Sequence, residues 1–381
     1  DVLLYKNSSS IAHARLFQFK GDILNLKGDI DEAFKYWVIS NNYRSKHYPK
    51  GDYHLDWNYA LLSNYYYEKI NSPLAVIYAD SCENLLQNLT IEQEKEIQIY
   101  RIWNTLAQSI KLAISKNLSH QESIEYYENK VQNLYLKSIQ FQIANNTPKY
   151  YLAKTYHLMA NSYVDIIQSS FAVSNKKGMQ CYTNSYNYYE KAISLFKEDK
   201  NSNQNDIAKS YFVRTFLYSY TSYEKIPNST FLAKKDFDKS LEALDINWQT
   251  TNLKSISKII YKEDLLMCLK YNTLLLFQLY QSSKNTNYLI ETDQKNKIAK
   301  VLWENIYNEF KSKNTNQNLA IYNLIPFQET IKIELLKKDA GLDWSIDNIF
   351  SANQILKYYD LNKGNFSKSQ KEISITKPLP L

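Results

Sequence analysis

Apolar residues along this chain return every three or four positions, the interval that lines one face of an α-helix. The pattern is cut at Lys27-Gly28-Asp29, Tyr48-Pro49-Lys50-Gly51, Asn71-Ser72-Pro73, Asn145-Asn146-Thr147-Pro148, Lys176-Lys177-Gly178 and Ile226-Pro227-Asn228. Gly and Pro punctuate helices, and the stretches between these breaks are long enough for several turns each. No segment alternates apolar and polar residues as a half-buried strand does, so the expected class is all-α.

The segments also repeat. Phe17, Gly21 and Leu24 stand before the Gly28-Asp29 break, and Ala33, Trp37 and Ser40 follow it. Small residues at such positions let two helices approach, and the large ones fill the space between them. Weaker versions read Tyr59, Leu62, Ser63 and Tyr66 with Ala75 and Cys82, then Trp103, Leu106, Ala107 and Ile110 with a second helix near Glu122–Lys137. Two more read Tyr156, Met159, Ala160 and Tyr163 with Ser185, Tyr189 and Ala192, and Ala208 and Tyr211 with Ala233, Phe237 and Ser240. This order of small and large positions is that of tetratricopeptide (TPR) repeats. The fold expected is an irregular TPR-type α-solenoid of stacked antiparallel helix pairs, winding as a right-handed superhelix with a concave face. The best-matched repeats fall at 11–42, 56–88, 100–140, 150–198 and 206–245, and long helices fill 255–360, so the array spans 1–361. Residues 362–381 read as a polar linker toward a further domain, because Asn362–Lys371 is polar and Ile373–Leu381 is short, β-prone and Pro-rich.

Composition narrows this little but excludes much. Six Gly and seven Pro in 381 residues are too few for the turns of an all-β chain. The net charge of +7 is spread among interspersed acids and bases, without the clustered basic face that nucleic acid requires. The 34 Tyr recur at helical spacing among Leu and Ile, which suits packing better than base stacking. Cys82, Cys181 and Cys268 offer neither a disulfide framework nor a zinc spacing. The most apolar stretch, Leu265–Tyr280, is interrupted by Lys270 and Asn272, so no membrane span is expected. An opening at Asp1 rather than Met reads as a trimmed start, and a cytoplasmic location is expected.

Candidate chemistry is sparse. His13, His47, His54, His120 and His157 belong to no nucleophile motif and show no i, i+4 metal spacing. Glu92, Glu94 and Glu96 read as a solvated helix face. No catalytic residue, cofactor or metal site is expected, and Cys82, in a small-residue slot, reads as an inert packing thiol.

Tandem degenerate repeats, then long helices, then this tail resemble the amino-terminal half of bacterial CHAT-domain proteins, a family of caspase-like peptidases and their relatives. Glu329, Lys332, Leu335 and Leu336 look like an element of the family's last repeats, and Thr376–Leu381 is similar to the segment just ahead of its first catalytic strand. The resemblance implies a regulatory scaffold whose catalytic His and Cys lie beyond residue 381. Its partner would be a protein or peptide segment in the concave groove, or the chain's own downstream domain. The candidate groove or packing aromatics are Phe17, Tyr59, Tyr66, Trp103, Tyr156, Tyr163 and Tyr211. Two other readings stay open: the sensor part of a bacterial signalling or transcription-regulating protein, and a surface glycan-binding helical repeat protein.

Overall fold

The computed structural model describes residues 10–26, 29–49, 52–68, 72–111, 120–168, 175–200, 202, 204–219, 229–247, 262–313 and 324–369. Among them every regular element is helical, and the chain forms two compact units, Asp1–Asp199 and Lys200–Leu381. The boundary between the two units falls at Asp199 and Lys200, in a polar stretch of the chain.

Unit 1 consists of helices α1 (Ser10–Leu26), α2 (Ile30–His47), α3 (Asp56–Glu68), α4 (Ser72–Leu85), α5 (Ile91–Glu96) and α6 (Ile99–Ile110). Helix α7 (His120–Tyr126) then passes through a π turn at Tyr127–Gln132 into α8 (Asn133–Ala144), and α9 (Lys149–Gln168) and α10 (Asn175–Glu198) complete the unit. Successive helices pack as antiparallel pairs: α1 on α2, α3 on α4, α6 on α8 and α9 on α10.

The small positions make this packing possible. In α2 the residues Ala33, Trp37 and Ser40 are all but fully buried, and so are Ser185, Tyr189 and Ala192 in α10. A Cβ on Gly21 would stand 2.6 Å from Trp37 Cδ1 and Nε1, so only glycine lets α1 lie against that indole. At the crossings a buried small side chain donates to a carbonyl of the partner helix: Ser40 Oγ to Ala14 O (2.8 Å), Ser63 Oγ to Ala75 O (2.6 Å) and Ser185 Oγ to Ala160 O (3.0 Å). Ser138 Oγ reaches Tyr100 O (3.1 Å), and Cys82 Sγ does the same for Asp56 O at 3.2 Å. A bulkier residue at any of these points would separate the backbones and orphan a buried polar group.

Unit 2 consists of α11 (Gln204–Ser219), α12 (Ser229–Ala243), α13 (Lys262–Ser283), α14 (Asn287–Lys313), α15 (Ile325–Asp339) and α16 (Ile346–Ser369). Its core gathers Phe212, Phe237, Leu269, Leu302, Trp303 and Phe327 from five of these helices. Two charged groups are sealed in beside it. Arg214 pairs with Asp236 through bonds of 2.5 and 2.7 Å, and Lys295 donates to Glu291 (2.6 Å), Asp238 (2.7 Å) and Asn272 (3.0 Å). Buried charges persist only when paired in this way.

Local differences from the sequence pattern have physical causes. The break expected at Lys176–Gly178 is the first turn of α10, where a Cβ on Gly178 would meet nothing within 4 Å. Helix α14 begins at Asn287, where Asn285 Oδ1 accepts from Asn287 N–H and Leu289 is buried. Helix α16 runs to Ser369, so residues 362–369 of the expected linker are helical. Each added helical residue gains a backbone hydrogen bond, and no proline intervenes before Pro378. Residues 370–381 lie outside the described residues, as do Gly28, 255–261 and 317–323.

Candidate functional site

Each of the seven aromatics singled out in the sequence touches a ring or cation of the helix paired with its own. Phe17 stacks on Tyr36 and Tyr43 of α2, Tyr59 and Tyr66 both stack on Tyr78 of α4, and Tyr156 and Tyr163 both stack on Tyr188 of α10. Trp103 meets Phe141 edge-on, and Tyr211 lies beneath Lys239. Two rings seven residues apart clamping a third is a recurrent way of joining a pair here, and such pairs add about 1 kcal/mol each beyond burial. Burial pushes the Tyr163 phenol up to about 12.

Two positions further along a helix, a side chain points about 200° away. Phe19, Trp57 and Arg101 stand two residues from Phe17, Tyr59 and Trp103, and these three, not the stacked rings, line a cleft of about 310 Å³. The cleft crosses the first helices of three successive pairs, with Arg15 and Phe19 from α1, Trp57 from α3 and Arg101 from α6. The side chain of Arg44 reaches it from α2.

Around Arg44 the hydrogen bonding is incomplete. Its Nη1 donates to His54 O at 3.1 Å and its Nη2 to Gln18 Oε1 at 2.5 Å, but Nε is buried with no acceptor. Asp56, the first residue of α3, is 2% exposed; its Oδ1 accepts from Trp57 N–H, whereas Oδ2 has no partner. Burial pushes the Asp56 carboxyl up to about 7, with the Trp57 N–H and the Arg44 charge opposing. The Trp57 Nε1 donor is also buried without an acceptor. Native folds seldom leave three such atoms in one place, since each costs about 1–3 kcal/mol.

The rest of the lining is held from outside. The His54 ring stacks on Tyr48 at 4.2 Å and bonds Asp52 Oδ1 through Nδ1 at 2.6 Å. Burial works against the Asp52 carboxylate, but these bonds and the His54 backbone N–H hold it below its ordinary value. Arg101 lies 5.0 Å over the Trp57 ring and donates to Gln98 Oε1 at 3.2 Å. Gln98 itself has φ of 52° and makes no side-chain cap to α6. A left-handed non-glycine residue costs about 1–2 kcal/mol, strain that folds tend to keep at binding sites. Phe19, 63% exposed, completes the rim.

A second cleft of about 610 Å³ lies mainly against second helices, with Glu83 and Glu94 balancing Lys130 and Lys137 beside Trp103. None of its lining residues carries a buried orphan polar atom among the described residues. The three cysteines are buried and not joined in disulfides; burial drives the Cys82 thiol well above its ordinary value and the Cys181 thiol up to about 11. Among the described residues no group of three His, Cys, Asp or Glu is placed to hold a metal, and no helix is long and apolar enough to cross a membrane.

The residues carrying the family resemblance lie on α15. Glu329 is half-buried, and burial raises its carboxyl. Lys332 lies 4.0 Å over the Phe277 ring, Leu335 is exposed, and Leu336 packs beside Phe277 and Leu289. Thr376–Leu381 falls outside the described residues.

No protein-family model and no curated protein matches this chain. Among solved structures it is similar to one described as a circular tandem repeat protein with novel repeat topology and enhanced subunit contact surfaces, at 11% identity over 94% of this chain and 78% of that one. The TM-score is 0.32, too low to bear on the architecture or function derived from the helices themselves.

Proposed function

We propose that this chain is a non-catalytic protein-interaction scaffold, and that the cleft across α1, α3 and α6 seats a segment of a partner protein. One observation carries the reading: an exposed aromatic, an arginine stacked on a tryptophan, and buried donors without acceptors converge on a single cleft. Affinity at protein interfaces concentrates in such aromatic and arginine anchors within a polar surround. The resemblance to the repeat region of CHAT-domain proteins agrees with this, since a groove of that kind would regulate or dock a peptidase-like domain.

Panning a displayed random-peptide library against the chain and against its Phe19→Asp variant tests the proposal. Phe19 is exposed, so the substitution leaves the fold intact. A peptide consensus enriched on the parent and lost on the variant is the expected result. A consensus unchanged by Phe19→Asp would place binding elsewhere and remove the cleft from the account.

A further inference from the structure

Unit 2 shows how this chain ties a buried arginine to a buried carboxylate: Arg214 meets Asp236 along one edge of its guanidinium, with Nε at 2.5 Å and Nη2 at 2.7 Å. In Arg44 of unit 1 the same edge is divided. Its Nη2 donates to Gln18 Oε1 of α1 at 2.5 Å, while Nε is buried with no acceptor. Asp56 Oδ2 is also buried without a partner. Burial works against both charges, and each charge works in favour of the other. Protonation accounts for the missing bond. A neutral Asp56 carries a hydroxyl at Oδ2, which would meet only donors along the Arg44 edge. Once ionised, Oδ2 accepts, and a carboxylate on the Nε–Nη2 edge makes charge-assisted bonds there.

We propose that unit 1 contains a proton-operated switch: when Asp56 gives up its proton to water, the Arg44 guanidinium turns from Gln18 of α1 onto the Asp56 carboxylate of α3. This goes beyond the scaffold reading and holds whether or not the cleft seats a partner. The fork gained at Asp56 replaces the bonds to Gln18 Oε1 and His54 O, so gain and loss are of one kind and the proton decides between them. The other groups around Asp56 are committed elsewhere. Asp52 and His54, from the turn before α3, bond each other, with Tyr48 stacked on the imidazole and Glu96 3.8 Å from its Nε2. Cys82 of α4 donates to the Asp56 carbonyl, and Arg101 of α6 lies over the Trp57 ring and donates to Gln98. Arg15 of α1 repels the Arg44 charge, which favours the turn toward Asp56. Gln18 lines the cleft and also bonds Asp22, which accepts from Trp37 Nε1 at 3.0 Å and feels the Arg101 charge. Its release therefore changes the α1 wall of the cleft.

The test is NMR of the whole chain, labelled with nitrogen-15 at arginine, between about pH 5 and pH 8.5, with the Arg44 Nε–H signal assigned through Arg44→Lys. In the parent that signal should move downfield in one step as the pH rises, as a guanidinium N–H does on meeting a carboxylate. Hydrogen exchange of the α1 amides around Gln18 should quicken severalfold across the same step. Asp56→Asn should abolish the step. Gln18→Ala removes the competing acceptor and should shift the step to lower pH by about half a unit or more, because the paired state then gives up one bond fewer. Gln18 is only partly buried, so this variant folds. A merely structural Asp56 would not respond to a substitution on α1. His54→Gln should leave the step in place. An Arg44 signal that stays still across the range would overturn the switch on the parent alone, even if Asp56→Asn failed to fold. A step that survives Asp56→Asn, disappears with His54→Gln, or keeps its midpoint in Gln18→Ala would equally end it, and peptide binding at the cleft would stand or fall separately.

Discussion

Asp56 lies wholly inside unit 1, and replacing it by Asn turns its burial into a measurable pH dependence. The folded protein raises the Asp56 carboxyl from an ordinary 3.8 to about 7, chiefly by desolvation. Between those values the native state keeps a proton that the unfolded chain has released, so folding weakens as the pH rises. A gap of about three pH units, at ~1.4 kcal/mol each, makes the ionised carboxylate cost the fold about 4 kcal/mol. That cost is absent near pH 4, accumulates up to about 7 and stays constant above it. In Asp56→Asn the amide oxygen still accepts from the Trp57 N–H, but no charge is sealed in. The variant should match the parent near pH 5 to within about 1–2 kcal/mol and exceed it by several kcal/mol near pH 8. Urea titrations across that range, read by hydrogen exchange in α3, report unit 1 by itself and avoid treating the chain as two-state. Parallel pH profiles for parent and variant would show that Asp56 is solvated or ion-paired, and the electrostatic account of the cleft would fall with it.

Gly21→Ala should destabilise unit 1 by about 1–3 kcal/mol despite alanine's better helix propensity, because its Cβ would overlap Trp37; chemical denaturation measures this, and a stabilised variant would contradict the contact. Arg214→Met should cost unit 2 about 3–5 kcal/mol by stranding Asp236, with Asp236→Leu recovering much of the loss in the double variant; a double-mutant cycle in denaturant reads the coupling. The three thiols should resist alkylation in the folded protein and react fully in denaturant, as mass spectrometry would show; native-state labelling of Cys82 at the rate of a free thiol would disprove its packing role.

Much of the architecture was legible before any coordinates. Helix period, scarce Gly and Pro, and the small–large spacing around Ala33-Trp37-Ser40 and Ser185-Tyr189-Ala192 mark pairs of close-packed helices, and those residues are the buried ones. Such features are local: a helix face and a crossing point depend on residues within one or two turns of each other. The candidate aromatics were legible for the same reason, as repeat positions, and they join helices within their pairs. The cleft was not legible. Phe19, Trp57 and Arg101 carry no spacing signal, and each sits two residues from a louder neighbour. Only the 200° offset from Phe17 and Tyr59 points to Phe19 and Trp57, and nothing in the sequence announces Arg44 or Asp56.

The sequence by itself determined an all-α chain of paired helices and where its small contact residues lie, because periodicity and side-chain volume act over a few residues. Only the tertiary structure decided which side chains meet across pairs. Arg44, Asp56, Trp57 and Arg101 come from three helices separated by intervening turns, and their burial, missing partners and charge exist only once those helices have packed.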